Sequence, residues 1–385
     1  MTGGGDKPYA LGLAAALTAE GILLDFVGSN ELQVPEVLEN SRITFLNLRG
    51  DQSAYATAGR KIGRVLSYYF RLIRYAARAT PKLFHVLWNN KFEVFDRTLL
   101  MIYYRLLRKR VILTVHNVNA GKRDGTDSFL NRLTLRIQYR LSHHIFVHTR
   151  TMKKELTSEF HVRETKVSVI PFGINNTVPN TKLSVAEAKR RLGVAAEDKT
   201  LLFFGNIARY KGLEYLVEAF TDLLNRNNRF RLIIAGRTKG DDAYWREIEK
   251  AIARANVTER VIARIEYIPD DQTELYFKAA DVLVLPYSHV FQSGVLFLGY
   301  SFGLPVIVAD VGTLREEIVE GRTGFAFKAR NSVDLARVIM EYFDSDLFRE
   351  IGVRREDIAR YANERYSWSK VATITTQLYQ ALLSK

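Results

Sequence analysis

Cysteine is absent from this chain of 385 residues, so disulfides and thiolate metal sites are excluded. No uninterrupted apolar run reaches the ~18 residues of a spanning helix. The opening residues, Met1 to Asp6, lack the basic-then-apolar pattern of a signal peptide. Together these absences point to a cytoplasmic protein. Gly-x-Ser-x-Gly, His-Glu-x-x-His and Walker-type phosphate loops are also missing. What is present is an ordinary globular composition, 47% apolar and 25% charged. The length suits two α/β domains.

The charge balance is unusual, with a formal net charge of +14. Nucleic acid, an anionic membrane or a phosphorylated substrate would each fit such a balance. No recognised nucleic-acid module accompanies it, so a nucleic-acid partner is not expected. Residues Arg60 to Arg78 would place Ile62, Val65, Leu66, Tyr69, Leu72, Ile73 and Ala76 on one helical face. Arg60, Arg64, Arg71, Arg74 and Arg78 would share the opposite face. A second basic stretch, Arg97 to Arg110, has the same style. Such helices suit an anionic membrane surface. The simpler reading is a surface helix that covers a sheet while its arginines are solvated.

Short β-branched and aromatic runs alternate with helical patterns along nearly the whole length, the signature of parallel sheets built from βα repeats. Expected strands in the first half are 22–27, 43–48, 83–88, 111–116, 144–148 and 167–171. A polar stretch, Asn175 to Lys182, reads as a linker. A second series begins at 201–207 and continues at 231–235, 261–268, 282–286 and 306–309, and residues 332–383 read as helical. The expectation is therefore α/β, two Rossmann-like domains facing a cleft that holds the active site. Gly3-Gly4-Gly5 and the helical pattern after it resemble the turn and helix next to a first strand, yet no strand pattern precedes them. A central strand is expected to be missing from the N-terminal sheet, either because the chain starts late or because the domain lacks it.

Three constellations carry chemistry. The run from Phe203 through Gly205, Asn206 and Arg209 to Lys211-Gly212 leads a buried strand through a glycine into a helix that opens beside a lysine, which suits phosphate oxygens. Gln292-Ser293-Gly294-Val295 opens an apolar helix, where free N–H groups and Ser293 would cap the helix or meet an anion. His116, in Val115-His116-Asn117, sits at a strand end and would point into the cleft. His143, His144 and His148 lack a carboxylate partner at ligand spacing, so no metal is expected. Asp241-Asp242 and Asp270-Asp271 read as caps or solvated loops.

In order along the chain these motifs resemble those of retaining glycosyltransferases of family 4, with the GT-B fold. The match includes Gly3-Gly4-Gly5, Val115-His116-Asn117, Val169 to Asn175, Phe204-Gly205 to Lys211-Gly212 and Ile233 to Gly236. It continues through Ala280-Asp281 to Pro286, Gly303 to Val306 and Val311-Gly312 to Gly324. Tyr366-Ser367-Trp368 resembles the start of the family's closing helix, which crosses back onto the first domain. The resemblance implies an N-terminal acceptor-side domain over 1–174, a nucleotide-sugar-binding domain over 175–365 and the closing helix over 366–385.

It also implies roles. Lys211 would hold the donor pyrophosphate, and His116 would contact the transferred sugar. Gly4 and Gly5 would lie beneath the donor phosphates. Glu316 matches the acidic residue after the Gly312 turn. The implied reaction is hexosyl transfer with retention from a UDP or GDP sugar to a saccharide or lipid-linked saccharide, in cell-surface or exopolysaccharide synthesis. That would place the protein in the cytoplasm or peripherally at the inner face of the membrane. The donor is a substrate, and no cofactor or metal is implied.

Two positions depart from the family pattern. Asn206 stands where an arginine is common, and Arg209 is its nearest substitute. The family's paired glutamates would fall at Val290 and Leu298, neither acidic; Gln292 and Ser293 are the expected replacements. A catalytically impaired scaffold and a nucleotide-sugar epimerase are the alternatives.

Overall fold

A computed structural model describes residues 7–52, 57–90, 92–174, 176, 178–238, 240, 242–290 and 292–384. Gly4 and Gly5, expected beneath the donor phosphates, lie outside the described residues. The chain divides into two compact units, Met1–Gly173 with Tyr366–Lys385, and Ile174–Arg365.

The first unit contains α1 (Lys7–Ala19), β1 (Leu24–Gly28), β2 (Ile43–Asn47), α2 (Ala58–Arg78), β3 (Leu83–Val86) and α3 (Leu99–Leu106). β4 (Arg110–Val115), β5 (His144–Val147) and β6 (Val167–Val169) come next. Its strands form two separate parallel sheets, β1-β2 and β3-β4-β5-β6. The alanine-rich α1 buries Tyr9, Leu13 and Leu17 at helical spacing, and these join Val371, Ala372 and Tyr379 of the terminal helix Trp368–Leu383 in one core. The terminal helix thus belongs to the first unit. It is capped by Ser367, whose side chain accepts from Lys370 N at 3.3 Å.

The amphipathic pattern of α2 is only partly the expected one. Tyr68, Tyr69, Leu72 and Ala76 are buried, whereas Ile62 and Leu66 stand exposed at 61% and 58%, beside Phe70 at 69%. These three recur at every fourth residue and make an apolar stripe in solvent. Basic residues 97–110 do not form one helix: Thr98 ends Glu93–Arg97 and opens α3 with non-helical dihedrals.

The second unit contains β7 (Lys199–Phe204), α4 (Leu213–Arg226), β8 (Phe230–Ala235), α5 (Asp242–Arg254), β9 (Val261–Arg264) and β10 (Val282–Leu285). It continues with α6 (Gly294–Ser301), β11 (Val306–Ala309) and β12 (Gly324–Phe327). One parallel sheet results, ordered β12-β11-β10-β7-β8-β9. β10 and β11 are buried along their whole length, and so is β7 from Thr200 on, as expected of strands covered on both faces. Below the sheet Lys189 Nζ reaches Asp281 Oδ2 at 3.0 Å, and Thr200 N donates to the same oxygen at 2.7 Å.

Candidate functional site

From β7 the chain of the second unit builds outward on one side through β8 and β9, and on the other through β10, β11 and β12. The order reverses between β7 and β10, and ligands of such sheets bind at that reversal, beyond the C-terminal strand ends. Two loops leave the sheet there. One runs from Gly205 to Gly212 after β7, and the other from Pro286 to Ser293 after β10.

The loops are held together closely. Gly212 has φ +62°, and a Cβ there would lie 2.1 Å from the carbonyl oxygen of Pro286, so only glycine fits. Ser288 N donates to Tyr210 O at 2.8 Å. Lys211 is thereby fixed with its stem buried, and its Nζ donates to Tyr287 Oη at 2.7 Å. Tyr287 Oη lies 3.2 Å from Ser293 Oγ. Burial pushes the Tyr287 phenol well above its ordinary pKa, so it stays protonated. Tyr287 Oη accepts from Lys211, and either hydroxyl of the Tyr287–Ser293 pair can donate to the other. Ser293 does not make the capping bond expected of it at the start of α6, because its hydroxyl faces Tyr287.

The same pocket collects other residues singled out in the sequence. Gly205 has φ +101°, and a Cβ there would meet Val295 Cγ2 at 3.3 Å and Lys211 Nζ at 3.8 Å. Gly205, Lys211, Ser293 and Val295 therefore meet, with Gly294 between the last two. Gln292 is distinctive: both its side-chain amide atoms are buried without a hydrogen-bond partner. Two orphaned polar atoms are costly unless something else satisfies them. Asn206 is half-buried next to Gly205.

Arg209 and Glu316 are placed differently. The Arg209 guanidinium makes a two-pronged pair with Glu247 of α5, at 3.0 and 2.8 Å, and lies over the Tyr244 ring. Glu316 is exposed, in a short helical turn after β11 at the same edge of the sheet. Val290 and Leu298 are both buried apolar side chains.

His116 of the first unit lies just past β4 and sits in an aromatic cage. Trp88 stacks on it with ring centres 4.6 Å apart, and Tyr9 meets it edge-on at 4.7 Å. His148, after β5, brings Nε2 to 3.0 Å from His116 Nδ1 and turns Nδ1 towards Ile170 O at 3.4 Å. Burial lowers both imidazoles, His116 well below its usual value and His148 to about 4. Two neutral rings fix the protons. His148 donates from Nδ1 to the carbonyl and accepts at Nε2, so His116 carries its proton on Nδ1. His116 Nε2 is then a lone pair, buried without a partner. Trp88 and His148 were missed as site residues, although both sit at the ends of expected strands, as His116 does.

His143 and His144 serve the fold. His144 Nε2 is bonded to Ser168 Oγ at 2.9 Å, and His143 contacts Arg105 and accepts from Val111 N. Among the described residues no group of three His, Asp or Glu side chains is arranged to hold a metal. No described helix is long and apolar enough to cross a membrane.

A family model described as glycosyl transferases group 1 matches residues 198–345, and one described as Glycosyltransferase Family 4 matches residues 3–177. An uncharacterized glycosyltransferase of Methanocaldococcus jannaschii is 28% identical over 281 residues, 71% of this chain and 70% of the relative. D-inositol 3-phosphate glycosyltransferase of Corynebacterium aurimucosum is 25% identical over 249 residues, 62% of this chain but only 57% of that one. The match therefore spans little more than half the length of the second relative. Among solved structures, Anabaena HepE in complex with UDP-glucose aligns with a TM-score of 0.73, covering 99% of this chain and 96% of that one. At 16% identity, that likeness is one of fold.

Proposed function

Because this chain belongs to the glycosyltransferases of GT-B fold, we propose that it transfers a hexosyl unit, with retention, from a nucleoside diphosphate sugar to a saccharide or lipid-linked saccharide. The observation that carries the reading is the Lys211–Tyr287–Ser293 chain beside the unsatisfied Gln292 amide, at the reversal point of the second unit.

Cleavage of the sugar–phosphate bond leaves negative charge on the diphosphate. A buried ammonium held by a neutral phenol is aimed in advance at such charge and needs no reorganisation when it develops. Gly205 lets the backbone approach the phosphates, and the start of α6 offers N–H groups beside Ser293. Gln292 supplies a donor and an acceptor, which fits uncharged hydroxyls of sugar or ribose in place of the glutamates absent at 290 and 298. His116, with a lone pair on Nε2, accepts from a hydroxyl of the transferred sugar. The departing phosphate accepts the acceptor's proton, so no enzyme nucleophile is required. A UDP-type donor is favoured by the UDP-glucose bound to the Anabaena structure.

The membrane part of the reading rests on α2. The Ile62, Leu66 and Phe70 stripe is exposed on a helix rich in arginine, the composition that inserts at an anionic interface. A lipid-linked acceptor at the cytoplasmic face would meet the enzyme there.

A thermal-shift screen of UDP, GDP and ADP sugars tests the donor site. Ligand at about a hundred times its dissociation constant adds roughly 2.7 kcal/mol of stability. A shift with one base, absent in Lys211→Ala, is the expected outcome. No shift with any of them contradicts the reading and favours a scaffold.

A further inference from the structure

The first unit has a polar opening that donor binding does not use. It lies beyond the C-terminal ends of β2 and β3, where open parallel sheets take their ligands. Arg49 and Gln52 line it from the loop after β2, Arg64 and Tyr68 from α2, and Asn90 from the loop after β3. About 330 Å³ are free of protein atoms there, counting the mouth.

The two arginines are built into this opening. Both are half-buried. Arg49 N donates to Gly28 O at 3.1 Å and Gln52 Nε2 donates to Arg49 O at 2.7 Å, which fixes the Arg49 backbone on both sides. Its guanidinium lies 5.6 Å from the centre of the Tyr68 ring. Arg64 Nη1 donates to Asp51 O at 2.7 Å and so ties α2 to the same loop. Two guanidinium groups from separate elements on one opening suit phosphate oxygens, which arginine grips through paired N–H groups.

A second cavity shares Tyr68 and Asn90 with the first and is lined also by Asp96. Asp96 is 4% exposed; its Oδ2 accepts from Asn90 N, but its Oδ1 has no partner. Asn90 Oδ1 has none either. The neighbouring Asn89 does not serve them, because it exchanges two amide bonds with Gln138 at 3.2 and 2.6 Å. Two buried oxygens without partners call for donors, and hydroxyl groups are such donors.

We propose that these cavities bind an acceptor carrying a phosphate ester next to free hydroxyls, with Arg49 and Arg64 on the phosphate and Asn90 and Asp96 on the hydroxyls. The proposal rests on the reading of the chain as a glycosyltransferase whose first unit receives the acceptor. It narrows that acceptor from any saccharide to a phosphorylated one. The phosphate belongs to a soluble sugar phosphate or to a lipid headgroup, and the chemistry at the arginines is the same for both. A neutral saccharide would use the hydroxyl acceptors but not the arginines.

Calorimetric titration tests the site. Glucose 6-phosphate should bind the wild-type chain saturably, methyl phosphate more weakly and glucose more weakly still. Arg49→Gln and Arg64→Gln should each weaken glucose 6-phosphate about tenfold or more, the effect of losing one charge-assisted hydrogen bond. UDP affinity should stay at its wild-type value in both. The lipid source is read by flotation of the chain carrying Ile62→Ser, Leu66→Ser and Phe70→Ser. Flotation with phosphatidic acid but not phosphatidylserine vesicles, lost on adding Arg49→Gln, assigns the phosphate to a lipid. Glucose 6-phosphate affinity and flotation both unchanged in the arginine variants would overturn the proposal. So would the absence of both in the wild-type arginine background, whether or not UDP binds. A chain that binds glucose 6-phosphate but not UDP would contradict the donor reading and leave the phosphate site standing.

Discussion

Lys211 Nζ donates to Tyr287 Oη at 2.7 Å and lies 4.4 Å from the centre of the same ring. The pair joins the loop after β7 to the loop after β10, so the lysine's position depends on a residue distant in sequence. Tyr287→Phe keeps the ring and removes the hydroxyl. It removes this partner of Lys211 and the contact to Ser293 together, and the loss passed on to a bound ligand should be that of one oriented hydrogen bond, roughly 0.5–1.5 kcal/mol. Titration calorimetry should show nucleoside diphosphate affinity falling by about 2- to 12-fold. Unchanged affinity would mean that the phenol does not set the lysine.

His148 acts on His116 as a positioning residue. Replacing it by Leu removes the acceptor for His116 Nδ1–H, whereas Gln retains an amide oxygen near the same place. In His148→Leu, nitrogen-15 NMR of the His116 ring should lose the pattern of a ring protonated only on Nδ1, and sugar-dependent activity should fall. His148→Gln should keep both. An identical His116 spectrum in all three proteins would contradict the assigned proton positions.

Acid should weaken the first unit. Burial lowers His85 to about 3 and His148 to about 4 from an ordinary value of 6.5. Between pH 6.5 and about 4 the unfolded chain therefore binds more protons than the folded one. The stability these rings contribute is complete above pH 6.5 and is lost as pH falls through that window, at up to ~1.4 kcal/mol per pH unit for each ring. Urea denaturation at pH 7 and pH 5 reads the difference, and His148→Gln should shrink it. Equal stability at the two values would show that the rings titrate normally.

The exposed stripe of α2 predicts surface binding. The chain should float with vesicles containing phosphatidylserine at low salt, less so as salt is raised. Ile62→Ser, Leu66→Ser and Phe70→Ser together should abolish flotation without changing the melting temperature of the protein, since none of the three is buried. Flotation unaffected by the triple change would show that the stripe does not bind membrane.

Much of this was legible because hydrophobic runs mark buried strands directly. Eleven of the twelve described strands fall within or beside the expected runs. The exception, β12, is four residues long and begins with Gly324, too short and weak to show a period. Lys211 was a modest signal by itself, since strand–glycine–loop–helix units are common in α/β proteins, and the resemblance rather than the local pattern singled it out. The Tyr287–Ser293 contact did not stand out, since Ser293 occupies an N-cap position and its actual partner is a side chain that only packing brings near. Helical periodicity placed Ile62 and Leu66 on the apolar face of α2, but what covers a face depends on neighbours that periodicity does not contain.

The central claim is that the second unit grips a nucleoside diphosphate sugar through Lys211 and Gln292. Calorimetric titration of UDP-glucose into the wild-type chain, Lys211→Met and Gln292→Leu tests it most directly. The expected result is saturable binding to the wild type and at least a tenfold loss in Lys211→Met, the size expected when a charge-assisted hydrogen bond worth roughly 1.5–3 kcal/mol is removed. A smaller loss is expected in Gln292→Leu. Equal affinity in all three proteins would contradict the claim.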